Sequence, residues 1–261
     1  MILPPFTHIL ARRPAETMVD GLTTQTDLGR PDLTLALQQY DAYIEALRSL
    51  NLNVTVLPAE ARFPDGHFVE DAAVIFRDMA FICRSGAESR MKEGVEIARH
   101  LQHLSVVNMQ GETGLVDGGD ILFCADRVLI GLSHRTNREG AEQLASALRD
   151  VQVNLRVDVV EFTGVLHLKT ALNELAPGVC VLAGGMQTDY DLSFTEIAQI
   201  PAEEAYAANL IPVNGTLLMA AGFPKTKELA GKYYADDMII PLEMSEFQKM
   251  DGGLSCLSLR Y

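Results

Sequence analysis

Short apolar runs recur along this chain in pairs, each pair followed by a helical stretch and a further apolar run. The order strand–strand–helix–strand returns about every 50 residues. AAVIF and MAFIC flank Arg77-Asp78, and a helix is expected over 88–104. ILFC and RVLIGL flank Ala125-Asp126; Thr136 and Glu139 then form a T-x-x-E capping box opening a helix to Leu148, and LRVDVVEF follows. Earlier, 31–50 places Leu33, Leu37, Tyr40, Ile44 and Leu47 on one helical face before the strand NVTVLPA. Later, Asn214-Gly215 between LIPV and TLLMAA predicts a two-residue type I′ hairpin, because both central residues must take positive φ. The last strand is expected at LSCLSLRY.

An internal echo reinforces the period. Val69-Glu70-Asp71 leads into Val74-Ile75-Phe76, and 47 residues on Val116-Asp117 leads into Ile121-Leu122-Phe123. Such self-similarity suggests structural repeats around a centre. No Pro/Gly/Ser linker divides the chain, so residues 1–261 are expected to form one domain.

Apolar residues make up 48% of the 261 positions and charged residues 21%, enough core to fold without staples. The formal net charge of −14 disfavours nucleic acid and anionic membranes and suits a cationic ligand, though acidity alone also serves solubility. No signal peptide or membrane-length apolar run is visible. None of the four cysteines sits in a C-x-x-C pair, so a reducing, cytoplasmic setting is expected. Cys83, Cys124 and Cys180 lie in apolar runs and read as core.

Cys256, in DGGLSCLSLRY, follows Gly252-Gly253, where backbone could approach a ligand closely. By itself it is an ordinary strand cysteine, and His167 in GVLHLKT an ordinary core histidine. His100 and His103 are expected on a helix surface. Carboxylates beside apolar strands are less ordinary: Asp65, Glu70 and Asp71 in PDGHFVED, Asp117 and Asp120 in VDGGD. Burying them is costly unless a cation pairs with them, and a guanidinium's planar fork matches a carboxylate. Arg90 and Arg135, each near a helix start, could hold a ligand carboxylate. No convergent His/Asp metal motif is present.

Together FVED, VDGGDILF, GLSxRTNxxGAEQLA, HLK and MSEFxKMDGGLSC resemble the dimethylarginine dimethylaminohydrolase family, in consistent order from about Thr7 onward. The resemblance implies a fivefold pseudosymmetric α/β propeller of ββαβ units with no metal and no organic cofactor. It implies Cys256 as nucleophile, His167 as general acid/base and Asp117 as the acid orienting it. Glu70 and Asp71 would bind the guanidinium, Asp65 and the backbone of Leu22 the α-amine, and Arg90 and Arg135 the α-carboxylate. The Met250 carbonyl would face a small-molecule methylated arginine, converted to citrulline through a covalent thiouronium. Residues 17–32 would be the substrate lid. Leu257 stands where some family members carry another cysteine, and Gly66 and His67 match less closely. Arginine deiminase, citrulline hydrolase or amidinotransferase chemistry, or a non-catalytic propeller, are the competing expectations; a homodimer is left open.

Overall fold

The computed structural model describes residues 3–261. Among these, fifteen strands form five three-stranded sheets. Strand β1 (His8–Arg12) is followed by helix α1 (Leu33–Ser49) and the parallel strand β2 (Asn53–Leu57). Strands β3 (Ala73–Phe76) and β4 (Met79–Ile82) pair antiparallel, and helix α2 (Glu93–Ala98) returns the chain to the parallel β5 (Ser105–Asn108). The same path runs through β6 (Ile121–Phe123), β7 (Arg127–Leu132), α3 (Arg138–Val151) and β8 (Arg156–Glu161). After the short helix α4 (Leu168–Ala171) come β9 (Leu172–Ala176), β10 (Val179–Ala183) and β11 (Glu196–Ile200). The fifth sheet has β12 (Ile211–Val213), β13 (Thr216–Ala220), helix α5 (Pro224–Ala230) and β14 (Ile239–Leu242). Helix α6 (Ser245–Gln248) precedes β15 (Ser258–Arg260), which pairs antiparallel with β1 and so closes the ring. This is the expected fivefold α/β propeller, and no helix of the described residues is long and apolar enough to cross a membrane.

Local chemistry accounts for the elements. Asp32 caps α1 by accepting from the Leu35 amide, and Tyr40, Tyr43 and Leu47 are fully buried against the first and fifth sheets. Each such side chain contributes roughly 1.5–3 kcal/mol through burial. Val213 pairs with Thr216 across Asn214-Gly215, whose φ values of 48° and 91° give the type I′ turn. The echoed phenylalanines, Phe76 and Phe123, stack with ring centres 5.7 Å apart and planes 4° from parallel.

Four local expectations are corrected. Asn137, not Thr136, caps α3, accepting from the Gly140 amide at 2.9 Å. Thr136 instead accepts from the Asp117 amide at 3.0 Å, a tertiary bond that outcompetes the local box. The helix expected over 88–104 is only a 3-10 turn, Glu88–Arg90, followed by α2, since Arg90 is drawn inward by buried acids. Cys256 sits on a 3-10 turn, Ser255–Leu257, that precedes the last strand.

Finally, the fourth repeat has no helix between β10 and β11. Its crossing segment is held by Arg127, which is almost fully buried, donates to the Leu192 carbonyl and lies 4.6 Å over the Phe194 ring. Arg127→Met should cost about 1.5–3 kcal/mol, the worth of a hydrogen bond to a charged group. The urea midpoint measures it, and a parent-like midpoint would show that the segment is anchored elsewhere.

Candidate active site

A short helical turn precedes the first strand of every sheet. These are Val69–Ala72 before β3, Gly118–Asp120 before β6, α4 before β9, Ala202–Ala208 before β12 and Ser255–Leu257 before β15. The turns pack on one another in sequence around the axis, and the circuit closes where Asn209 Oδ1 accepts from the Ser255 amide. Each turn carries or directly adjoins a polar group of the site: Asp71, Asp117, His167, Asn209 and Cys256.

Two glycines permit the close approach. A Cβ on Gly118 would lie 1.9 Å from the Glu70 carbonyl oxygen. One on Gly119 would lie 2.6 Å from His167 Nδ1. Asp120 then ties the second of these turns to the third, accepting from the Leu168 amide at 3.0 Å and from Ser133 Oγ at 2.6 Å.

One cavity of about 190 Å³ is lined by Cys256, His167, Asp71, Asp65, Arg90, Arg135, Leu22 and Met250. Eight of the ten expected site residues thus meet in one place. Asp117 lies fully buried behind them, its Oδ1 3.5 Å from His167 Nε2. Glu70 does not join them. One of its oxygens is held by Lys169 Nζ at 2.6 Å and by Arg260, and the other accepts from Ser255 Oγ at 2.7 Å. Glu70 therefore has both oxygens committed and braces the Cys256 turn instead of facing the cavity.

The two arginines also differ. Arg90 donates to Asp71 at 2.6 Å, to Glu93 at 2.8 Å and to the Phe68 carbonyl at 3.1 Å. Arg135 NH1 is buried and has no partner. The opposite vacancy belongs to Asp71, whose Oδ1 is buried and unpaired. Both residues line the cavity, each with one polar atom that no protein group satisfies. Asp65 uses Oδ1 to accept from the Leu22 amide at 3.0 Å.

Electrostatics set the resting protonation. Burial opposes a charge on His167, but Asp117, then Asp120 and Asp71, outweigh it and raise the imidazole to about 10. Burial likewise works against the Asp117 carboxylate, yet His167 holds it below the ordinary range. Asp71 is pushed up, first by burial and then by Asp117, against the pull of Arg90. Burial, then Asp71 and Glu70, push the Cys256 thiol up to about 12. These shifts favour a neutral thiol and a protonated imidazole lining the same cavity. Cys256 is also the one cysteine of the four that is not buried.

Asp71, Asp117 and His167 offer ligand atoms all within 4.8 Å of one another, the geometry of a metal cluster. Arg90 and the protonated His167 already supply cations there. The bracing groups Lys169, Asn209 and Ser255, all buried, and the half-buried Arg260 were missed from sequence. Their polar side chains have no periodic signature, although Glu93 three residues after Arg90 was a readable ion-pair spacing.

A fivefold α/β propeller with a thiol, an imidazole and desolvated carboxylates on its axis defines an enzyme of the guanidine-modifying pentein type. Residues 95–208 match the family model described as arginine deiminase. The N(G),N(G)-dimethylarginine dimethylaminohydrolase of Pseudomonas aeruginosa is 42% identical, covering 98% of this chain and 100% of its own length. That of Streptomyces coelicolor is 36% identical, covering 98% and 97%. The chain belongs to the dimethylarginine dimethylaminohydrolase family. A solved structure of the Pseudomonas aeruginosa enzyme, a Cys-to-Ser mutant complexed with citrulline, superposes with a TM-score of 0.91 at 40% identity, covering 99% of this chain and 100% of that one. The N-terminal domain of the arginine dihydrolase ArgZ shares the fold at 17% identity and a TM-score of 0.83, covering 97% of both chains.

A raised histidine contributes stability that is fully present below the ordinary value near 6.5 and is lost as pH rises through about 10. NMR titration of the His167 ring should give a midpoint near 10, and a midpoint near 6.5 would overturn the ion pair with Asp117.

Proposed function

We propose that this chain hydrolyses Nω,Nω-dimethylarginine and Nω-monomethylarginine to citrulline and the corresponding methylamine. The observation that carries the reading is the pairing of vacancies in one cavity. Asp71 Oδ1 lacks a cation beside Cys256, and Arg135 NH1 lacks an anion. An amino acid with a guanidinium at its far end fills both. Asp65 and the Leu22 backbone would receive its α-amine, and the Met250 carbonyl would face it. Arg90 holds Asp71 in place and presents its remaining edge to the cavity, so the carboxylate contact falls mainly to Arg135. Glu70 braces the turn that carries the sulfur.

The resting protonation leaves His167 ready to act as an acid and requires Cys256 to lose its proton first. The arriving cation offsets the negative field of Asp71 and Glu70 that keeps Cys256 a thiol, and its proton leaves to solvent. The thiolate attacks the guanidinium carbon, forming a C–S bond and a tetrahedral adduct. His167, already protonated, gives its proton to the substituted nitrogen. The C–N bond breaks, dimethylamine departs, and a thiouronium remains on Cys256. Neutral His167 then takes a proton from water as its oxygen adds to the same carbon. Collapse breaks the C–S bond, the hydroxyl proton passes to the departing sulfur, and citrulline and the thiol are released. Asp117 orients the ring and balances its charge throughout. Positioning of this kind is worth roughly 7–11 kcal/mol, and proton transfer by a placed side chain about 10²–10⁴-fold.

Deiminase or citrulline hydrolase chemistry would use the same thiol, but no particular contact here favours either. Residues 1–261 act as one catalytic domain in this reading, supported by the first sheet's need for both β1 and β15. Four free cysteines support a reducing, cytoplasmic setting.

Purified protein given dimethylarginine should release citrulline and dimethylamine in equal amounts, identified by mass. Consumption of arginine alone would replace the substrate assignment and leave the thiol chemistry standing. Cys256→Ser should lower turnover by more than about 10³-fold; a near-parent rate would remove Cys256 from the mechanism. Arg135→Ala should raise KM by about 10- to 100-fold with a smaller change in kcat, the worth of a charge-assisted hydrogen bond. An unchanged KM would take the carboxylate contact away from Arg135.

A further inference from the structure

The cavity's roof is the 17–32 segment, which holds two 3-10 turns, Glu16–Asp20 and Thr26–Leu28, and between them presents Leu22, Thr23 and Thr24 to the cavity. Its seat is tight: a Cβ on Gly21 would lie 2.5 Å from Met250 Cε and 2.7 Å from Asp65 Oδ1. Beyond Leu22 the roof is tied to the segment that leads into Cys256. Asp251 Oδ2 accepts from the Thr24 amide at 2.5 Å. Its Oδ1 accepts from Thr24 Oγ1 at 2.8 Å and from Gln25 Nε2 at 3.0 Å. Thr23 Oγ1 donates to the Lys249 carbonyl at 2.6 Å. Asp251 stands at φ +59°, a left-handed conformation that Asp and Asn tolerate better than most residues, and this is the conformation in which it makes all three contacts.

We propose that Asp251 is the latch of this lid, a positioning residue whose carboxylate holds Thr24 and Gln25 over the cavity and couples lid closure to the Cys256 segment. The inference rests on the reading of the cavity as the substrate site. One carboxylate receives three donors from two consecutive lid residues, so closing the lid costs few separate groups and opening it breaks all three bonds together. The residues carrying these donors are exposed, so water replaces Asp251 readily on opening and the latch stays reversible. Asp65 provides the second tie, to the Leu22 amide, from the opposite wall. With both ties made, Leu22 covers the end of the cavity assigned to the α-amine. Loss of the Asp251 tie leaves the catalytic groups intact and the roof held only by the Leu22–Asp65 bond and the single Thr23–Lys249 bond. The effect then falls on substrate retention, as expected for lids that gate a site.

The test compares Asp251→Asn, Thr24→Val, their double variant and Thr24→Ser with the parent, all as full-length chains. Asn keeps the left-handed backbone while losing the charge and one acceptor; Val removes the Thr24 hydroxyl from an exposed position that cannot unfold the core. Two readouts are used: steady-state kinetics with dimethylarginine, and alkylation of Cys256 by a bulky charged maleimide, mapped by mass. Each single variant should raise KM by about three- to tenfold with kcat within about twofold, and speed alkylation to a similar degree. The double variant should be no worse than the more affected single one, because both remove the same contact. Thr24→Ser should match the parent. Parent-like KM and alkylation in Asp251→Asn, or additive effects in the double variant, overturn the latch. A parent that makes no citrulline defeats the substrate reading instead, and the alkylation series still decides the latch.

Discussion

Every part of this site depends on keeping desolvated carboxylates charged or usefully protonated on the axis of the ring. An unpaired buried ion costs several kcal/mol, so each acid needs a cation brought from outside its own turn. Asp117 has His167, Asp71 has Arg90, and Glu70 has Lys169 and Arg260. No turn supplies both members of its own pair. The site therefore exists only when the ring is closed, and closing the ring is in turn favoured by the pairs.

The same compensation sets the chemistry. Charge on Asp117 is retained because His167 is protonated, and His167 is protonated because three acids surround it. Burial, then Asp71 and Glu70, favour the neutral thiol of Cys256. The backbone contribution is equally specific: Gly118 and Gly119 contain no Cβ where the Glu70 carbonyl and the His167 ring must lie. Their use is close approach, and neither has positive φ.

How far the sequence could be read varied by element. The Asn214-Gly215 hairpin and the 47-residue echo were legible because turn chemistry and strand pairing act over short distances. The α3 cap was misread by one residue because Thr136 is recruited by the Asp117 amide, a partner 19 positions away. The missing helix in the fourth repeat was also illegible in outline, since Arg127 replaces it with contacts from the preceding sheet. Among site residues, Glu70 and Arg90 carried the right motifs, yet burial commits most of their hydrogen-bonding capacity to neighbours.

What the amino-acid order alone determined was the repeat, the strand pairs and the inventory of acids, thiol, imidazole and guanidinium groups, because these follow from local pattern and composition. What only the tertiary structure decided was which of those groups remain unsatisfied. Asp71 Oδ1 and Arg135 NH1 are left without protein partners, while Asp71 Oδ2, Arg90 and Glu70 are claimed by their neighbours. Such claims are settled by distance and desolvation, which depend on how five turns meet and not on any one of them.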